Sequence, residues 1–211
     1  MGIDTPYSRI KSSISHRRLI CGVGINDADY VTQPTIKGKR VCCPFYRAWK
    51  GMITRSYDSK VHIKRPTYIG TTVCLEWHTF SNFKLWMEYQ DWENKDLDKD
   101  IINPRNKIYS PDTCCFVTPA LNGLLLDNIS KRGDLPIGVT RHKGTGKFQA
   151  SCIGMSHKSK YLGLFITPEE ATAAYIKYKT KIICYVAKKQ TDSRISNGLI
   201  LHAEILKQSS L

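Results

Sequence analysis

The chain of 211 residues lacks a long hydrophobic run. Its apolar runs all fall short of the roughly 18 residues that a membrane-spanning helix needs. The first 20 residues lack the apolar core of a secretory signal, and Pro6 stands where a myristoylation signal requires Ser or Thr. We therefore expect no membrane partner and a location in the cytoplasm of the cell that makes the protein.

The chain also lacks any Cys-x-x-Cys spacing, although it contains eight cysteines. Two pairs are adjacent, Cys42-Cys43 and Cys114-Cys115, and adjacent residues of a strand point to opposite faces of a sheet. Their density is below that of a small secreted disulfide scaffold. The pattern predicts thiols in a reducing compartment, buried as small hydrophobic side chains, and no structural zinc site.

Acidic residues are scarce, with 18 Asp and Glu against 32 Lys and Arg, which gives a net charge of +14. Residues 1–65 hold 13 basic and 4 acidic residues, net +9; residues 131–211 hold 14 and 5, also net +9. Residues 66–130 hold 5 and 9, net −4. Two basic segments suited to a polyanion thus flank one that could hold a divalent cation, or that is simply a solvated acidic surface.

The first half of the chain shows helical and strand patterns after a basic arm. A helix is predicted from Pro44, with an apolar face formed by Phe45, Trp49, Met52, Ile53 and Tyr57. Ser81 is expected to cap a second helix that runs to about Gln90. Strands are predicted at Leu97–Ile102, at Ile108–Tyr109 and over residues 113–118, followed by a helix from Pro119.

The second half predicts three strands and two helices. The strands are expected at Gly138–His142, Lys147–Gly154 and Tyr161–Ile166, with Phe148, Ala150 and Cys152 on the buried face of the second one. Thr167-Pro168-Glu169-Glu170 is a capping box that starts a helix covering that face. Asp192 is expected to cap a final helix, which contains the unfavourable Gly198.

This second half resembles an AP2 domain over residues 136–183. The matching segments are Gly138-Val139, Gly146–Ala150, Tyr161–Phe165 and Thr167–Tyr175. The resemblance implies a sheet whose exposed face enters the major groove of double-stranded DNA. The implied DNA-binding residues are Arg141, Lys143, Lys147, Gln149, Ser151, Lys158 and Lys160. Thr140 stands where the family usually has arginine and the turn is about one residue longer, so no target sequence is implied.

Residues 44–128 resemble the degenerate HNH-type segment of phage endonucleases that carry an AP2 domain. The similar segments are Tyr46–Trp49, Cys74–Trp77, Phe80–Phe83, Leu97–Ile101, Tyr109–Pro111 and Asn122. The resemblance implies that Asp98 and Asn122 bind Mg²⁺ or Mn²⁺, with Asp100 a further candidate ligand. Lys99 stands at the position of the catalytic general-base histidine. An unperturbed lysine is almost fully protonated at neutral pH and is a poor base.

These observations predict an α+β fold in four parts: a basic flexible arm over 1–20, a degenerate HNH-like ββα domain with additional helices over 21–130, an AP2-like DNA-binding domain of three antiparallel strands and a helix over 131–186, and a C-terminal helix over 187–211. The leading hypothesis is a phage-type DNA-binding protein, in the host cytosol, whose metal-dependent nicking is weak or lost. The alternatives are an active Mg²⁺-dependent nicking endonuclease, and a phage protein that binds a host protein or RNA.

Overall fold

The computed structural model describes residues 17–125, 134–155 and 158–208, in which α-helices and β-strands are mixed. The described residues form two compact units. Unit 1 contains the residues up to Lys99 together with Arg105–Phe116, and unit 2 contains Asp100–Pro104 and the residues from Val117 onward. This division differs from the boundary near residue 130 predicted above. Most of the predicted N-terminal arm, residues 1–16, lies outside the described part, as do residues 209–211.

Unit 1 consists of short helices and strands. A hairpin, β1 (Thr35–Ile36) and β2 (Lys39–Arg40), turns through Lys37 and Gly38, both of which have positive φ. The elements that follow are α1 (Pro44–Tyr57), α2 (Ser59–Lys64), β3 (Thr72–Val73), α3 (Phe80–Glu88), β4 (Asp96–Asp98), β5 (Ile108–Tyr109) and β6 (Cys115–Val117), the last residue of which belongs to unit 2. Strands β3 and β5 pair in parallel, and β4 pairs with β6.

Aromatic side chains form the core of unit 1. Trp49 of α1 and Phe83 of α3 are completely buried, and the indole N–H of Trp49 donates to the carbonyl of Trp77 at 2.7 Å. The predicted helix from Pro44 is thereby confirmed, with its apolar face in the core. The predicted cap of α3 was wrong, because the helix begins at Phe80. Ser81 is instead the donor of a backbone N–H to the Asp27 carboxylate at 2.9 Å.

The acidic strand ends earlier than predicted, at Asp98 rather than Ile102. Asn106 causes this ending through two reciprocal hydrogen bonds with Lys99. Its side-chain amide donates to the Lys99 carbonyl at 2.9 Å, and the Lys99 ammonium donates to the Asn106 carbonyl at 2.8 Å. Because the side chains hold the backbone of Lys99 in a loop, the extended ladder cannot continue.

Unit 2 combines helices with a three-stranded antiparallel sheet. Its elements are α4 (Pro119–Leu125), β7 (Val139–Arg141), β8 (Phe148–Ile153), β9 (Ser159–Phe165), α5 (Pro168–Ala187) and α6 (Ser193–Gln208). Strand β8 lies between β7 and β9. The three predicted strands are confirmed to within two residues at each end. Both predicted helices are present and begin directly after Thr167 and Asp192 as expected, but the C-terminal helix begins at Ser193 and not at residue 187, because α5 continues to Ala187. The complete capping box at Thr167 and Glu170 is confirmed as well.

Helix α5 covers one face of the sheet. Ala171 packs against Val139 and Ala150, and Tyr175 packs against Cys152. Gly138 immediately precedes β7 with a φ of +74°, and a side chain at this position would overlap the Tyr175 ring. The sheet therefore has one face buried under α5 and one face that no helix of the described residues covers.

Two further findings concern the described part of the chain. None of its helices has the length and apolar character needed to cross a membrane. The eight cysteines all lie within it and form no disulfide.

Candidate functional site

The uncovered side of the three-stranded sheet is the first candidate site. Ala150 and Cys152 point into the core, so Gln149, Ser151 and Ile153 point the opposite way. Cross-strand neighbours share a face, which adds the partners of these residues on β7 and β9. We call the resulting surface the sheet face; it consists of Thr140, Gln149, Ser151, Ile153, Ser159, Tyr161 and Leu164.

The sequence pattern missed the contribution of β9 to this face. A β-bulge shifts the register between Ala150 and Ser151, so that Leu162 is an extra residue on β9. Both Leu162 and Phe165 consequently pack towards the core, while Tyr161 and Leu164 remain 56% and 38% exposed. A bulge interrupts strict alternation. The sequence signal for Tyr161 was therefore hidden.

The predicted DNA-binding cations lie at the two ends of the sheet rather than in its middle. Lys143 and Lys147 belong to the loop that joins β7 to β8, and Lys158 to the connection that precedes β9. All three are exposed. Since β8 runs antiparallel to both neighbours, these two connections are at opposite ends of the sheet.

Arg141 and Lys160 have a different position from that expected. Arg141 is paired with Phe148, and its guanidinium lies 4.9 Å from the centre of the Phe148 ring. Lys160 is paired with the buried Cys152. Both residues therefore belong by register to the side of the sheet that α5 covers, although both are exposed at its ends. Of the seven predicted residues, only Gln149 and Ser151 contribute to the sheet face itself.

The chemistry of the sheet face suits recognition of a mixed polar and apolar surface. The amide of Gln149 both donates and accepts hydrogen bonds, and the hydroxyls of Thr140 and Ser151 do the same. Tyr161 and Ile153 add exposed apolar surface. Six residues of β8 span about 17 Å, which sets the distance between the cationic ends.

The second candidate site is the predicted nuclease centre at Asp98 and Lys99. Asp98 is half-buried at the end of β4, whereas Lys99 is only 5% exposed. Besides donating to the Asn106 carbonyl, the Lys99 ammonium lies 5.9 Å from the centre of the Tyr109 ring. An ammonium group has three donors and no acceptor. In this environment Lys99 is a buried hydrogen-bond donor to a backbone carbonyl.

Arg55 is a component of this site that the sequence pattern did not reveal. Its Nε donates to the Tyr109 hydroxyl at 3.1 Å, and its guanidinium lies 5.8 Å from the Tyr68 ring centre. Burial lowers the pKa of Arg55, but Tyr109, Tyr68 and the Asp98 carboxylate together raise that pKa above its ordinary value. Asp98 is thus within the electrostatic influence of a fixed cation, which opposes the approach of a second one.

The remaining candidate ligands are divided between the units. Asp98 and Lys99 belong to unit 1, and Asp100 and Asn122 belong to unit 2. Burial raises the pKa of the Cys114 thiol to about 12, so that this neighbour of Asp98 stays protonated at neutral pH and is not a thiolate ligand. Within residues 17–125, 134–155 and 158–208 no three His, Cys, Asp or Glu side chains gather where they could hold a metal ion. Binding of Mg²⁺ or Mn²⁺ remains a prediction.

Comparisons with known proteins identified no relative of this chain. No protein-family model matches the chain, and neither a curated protein nor a solved structure matches it. The resemblances to AP2 and HNH proteins therefore remain predictions, and the functional conclusion depends on the two sites described above.

Proposed function

We propose that the protein binds double-stranded DNA by placing the sheet face in the major groove, and that metal-dependent nicking at Asp98 is weak or lost. This agrees with a phage-type protein related to HNH–AP2 endonucleases. The observation that carries the proposal is the arrangement of exposed lysines at both ends of a sheet whose uncovered face holds hydrogen-bonding and apolar side chains.

The dimensions of the sheet support this proposal. The major groove of B-form DNA is about 12 Å wide and is bordered on both sides by phosphates. A strand of about 17 Å spans that groove and brings its two ends to the phosphates. Lys143 and Lys147 at one end, and Lys158 at the other, would then make the phosphate contacts that position the sheet.

The sheet face would supply the base contacts. The Gln149 amide is suited to adenine, which offers an acceptor and a donor on its major-groove edge. The apolar surface of Tyr161 and Leu164 is suited to the thymine methyl group. The net charge of +14 adds the sequence-independent attraction that such binding requires.

The lost-nuclease part of the proposal rests on Lys99 and Arg55. Lys99 replaces a base with a buried donor, and Arg55 supplies a positive charge near the only predicted metal ligand of unit 1. Position 99 therefore lacks the base that would take a proton from water, and the charge of Arg55 disfavours a metal ion that could activate water instead.

The test measures the affinity for a duplex at several salt concentrations, for the protein and three double variants. Lys143→Gln with Lys147→Gln removes two cations from one end of the sheet, and Lys158→Gln with Lys160→Gln removes two from the other. Lys39→Gln with Lys60→Gln removes two exposed cations from unit 1 as the matched control. Each end variant is expected to reduce the salt slope of log affinity by up to about 1.8, or 0.9 per phosphate contact, while the control retains it.

Equal effects of all three variants would show that charge alone, and not the sheet, governs binding.

A second experiment tests nicking. Supercoiled plasmid is incubated with the protein and Mg²⁺ or Mn²⁺, beside Asp98→Asn and an EDTA control. We expect retardation of the DNA without open-circle product. Metal-dependent nicking that disappears in Asp98→Asn would instead establish an active endonuclease.

A further inference from the structure

One side of α5 presents a row of lysines to solvent. Lys177, Lys181 and Lys188 are all exposed, and Lys188 is the C-cap residue with helical backbone angles. Spacings of four and seven residues place them within about 40° of one another around a helix of 3.6 residues per turn. We call these three residues the α5 lysine stripe.

The positive charge of the stripe is not neutralised within the described chain. No ion pair among residues 17–125, 134–155 and 158–208 involves any of the three lysines. The acidic residues of α5 are confined to its first turn. One of them, Glu170, directs its carboxylate to the backbone N–H groups of Ile166 and Thr167.

The length of the stripe fits the backbone of a nucleic acid. Eleven residues of helix rise about 16 Å from Lys177 to Lys188. Each strand of duplex DNA carries one phosphate per roughly 3.4 Å of its axis, so the stripe runs along about five phosphates. A row of ammonium groups contacts such a backbone without reading bases.

The stripe and the sheet face belong to different layers of unit 2. Helix α5 packs on the covered side of the sheet through Ala171 and Tyr175. The sheet face points in the opposite direction. A duplex that contacts the sheet face is therefore separated from α5 by the sheet. The stripe is therefore not directed at that duplex.

We infer that the α5 lysine stripe binds the phosphates of a second DNA duplex, so that one protein molecule bridges two DNA segments. This inference rests on the proposed binding of the first duplex by the sheet face. The second contact is sequence-independent and uses few phosphates, so it is weaker than the first and more easily released by salt.

The test captures a fluorescent duplex on beads that carry an immobilised duplex and the full-length protein. Lys177→Gln, Lys181→Gln and Lys188→Gln together remove the stripe, and Lys39→Gln, Lys60→Gln and Lys64→Gln remove three exposed cations of unit 1 as the control. Affinity for a single duplex is measured for each protein. Capture is expected to fall to the bead background in the stripe variant only, with less than about twofold change in its single-duplex affinity. The capture by the unaltered protein should fall with salt at a slope of about −2.7 for three contacts.

Each other outcome identifies which part of the scheme fails. Persistent capture by the stripe variant, or absence of capture by an unaltered protein that binds one duplex, overturns the bridging inference and leaves the proposed function intact. A strong loss of single-duplex affinity in the stripe variant also overturns bridging, because the stripe would then belong to the first binding surface. Failure of the unaltered protein to bind any duplex rejects the proposed function, and bridging with it.

Discussion

At the scale of single residues, the centre of unit 1 has an internal cation close to the residue predicted to bind a metal ion. Burial lowers the pKa of Arg55, but Tyr109, Tyr68 and Asp98 together raise it, and the residue after Asp98 is the buried Lys99. By comparison with the HNH motif, Lys99 replaces the expected histidine. In the structure, however, the Lys99 ammonium donates a hydrogen bond to the Asn106 carbonyl and so holds the loop that contains Asn106.

Replacement of Lys99 is expected to destabilise unit 1. Lys99→Met leaves the Asn106 carbonyl without its ammonium donor, which should lower the free energy of unfolding by about 1–3 kcal/mol. The four tryptophans all belong to unit 1, so urea unfolding followed by tryptophan fluorescence measures this unit. The exposed Lys60→Met is the control and should change stability by less than about 0.5 kcal/mol. Indistinguishable unfolding curves for the two variants would show that the bond of Lys99 contributes nothing.

A second buried lysine predicts a pH dependence in unit 2. Desolvation lowers the pKa of Lys179 below its ordinary value of 10.5, with the Cys152 thiol opposing the shift. Between the folded and unfolded pKa values the unfolded chain binds more protons, so stability rises with pH in that window. The free energy of unfolding, measured by circular dichroism of the helices, should show this contribution as pH rises from neutral towards 10.

Lys179→Met should remove that contribution, whereas Lys181→Met, an exposed neighbour on the same helix, should retain it. Burial raises the pKa of Cys152 and Lys179 opposes that rise, so Cys152 gives a contribution of opposite sign that becomes larger in Lys179→Met. Both changes make stability rise less with pH in Lys179→Met than in Lys181→Met, and the difference between the variants reports Lys179 together with its interaction with Cys152. The same pH profile in both variants would contradict the assignment.

At the scale of elements, α6 depends on a glycine that looked like a defect in the sequence. A side chain at Gly198 would overlap the Ile101 carbonyl oxygen and lie 2.9 Å from the Ile102 Cα. The helix can approach this segment closely only because position 198 has no Cβ. The unfavourable helix propensity of glycine is thus offset by packing.

Alanine at two helical glycines should have opposite effects. Gly198→Ala is expected to destabilise unit 2 by at least about 1–3 kcal/mol, because backbone atoms must move. Gly51→Ala in α1 meets only the Arg55 guanidinium at 3.4 Å and should stabilise unit 1 by up to about 1 kcal/mol through helix propensity. Thermal unfolding of both variants measures the signs. A stable Gly198→Ala protein would contradict the close packing.

Elements governed by local interactions were predictable from the sequence, and those governed by distant residues were not. The helix at Pro44 and the capping box at Thr167 each depend on neighbours within one or two turns. The end of β4 depends on Asn106, the start of α3 on Asp27, and the outward direction of Tyr161 on a bulge. The same limit applies to the sites, since Arg55 is 43 positions before Asp98 and no periodic pattern joins them.

At the scale of the whole molecule, the proposal depends on a groove of the right shape as well as on charge. A sheet fits the wide major groove of B-form DNA, whereas the major groove of A-form RNA is deep and too narrow for side chains to read. Net charge alone would attract both polymers.

Duplex DNA should therefore bind more tightly than duplex RNA of the same length and sequence. Competition between the two duplexes at a fixed salt concentration measures this preference, which should be on the order of tenfold or more. The preference should become smaller in the double variant Gln149→Ala with Tyr161→Ala, which lacks two side chains of the sheet face. The exposed pair Asn82→Ala with Tyr89→Ala in unit 1 is the control. Equal competition by RNA would favour the alternative of an RNA-binding protein.

The way the chain alternates between its two units sets the timing of folding during synthesis. Asp100–Pro104 belongs to unit 2, where the Asp100 carbonyl accepts a hydrogen bond from His202 and the Ile101 carbonyl lies against Gly198. Ser193, the first residue of α6, follows Pro104 by 89 residues. At roughly 5–20 residues per second, a ribosome needs several seconds to make that stretch. Throughout that interval Asp100–Pro104, which connects the two parts of unit 1 in the chain, lacks the helix against which it packs. This five-residue segment reaches its final position only when the C-terminal helix emerges.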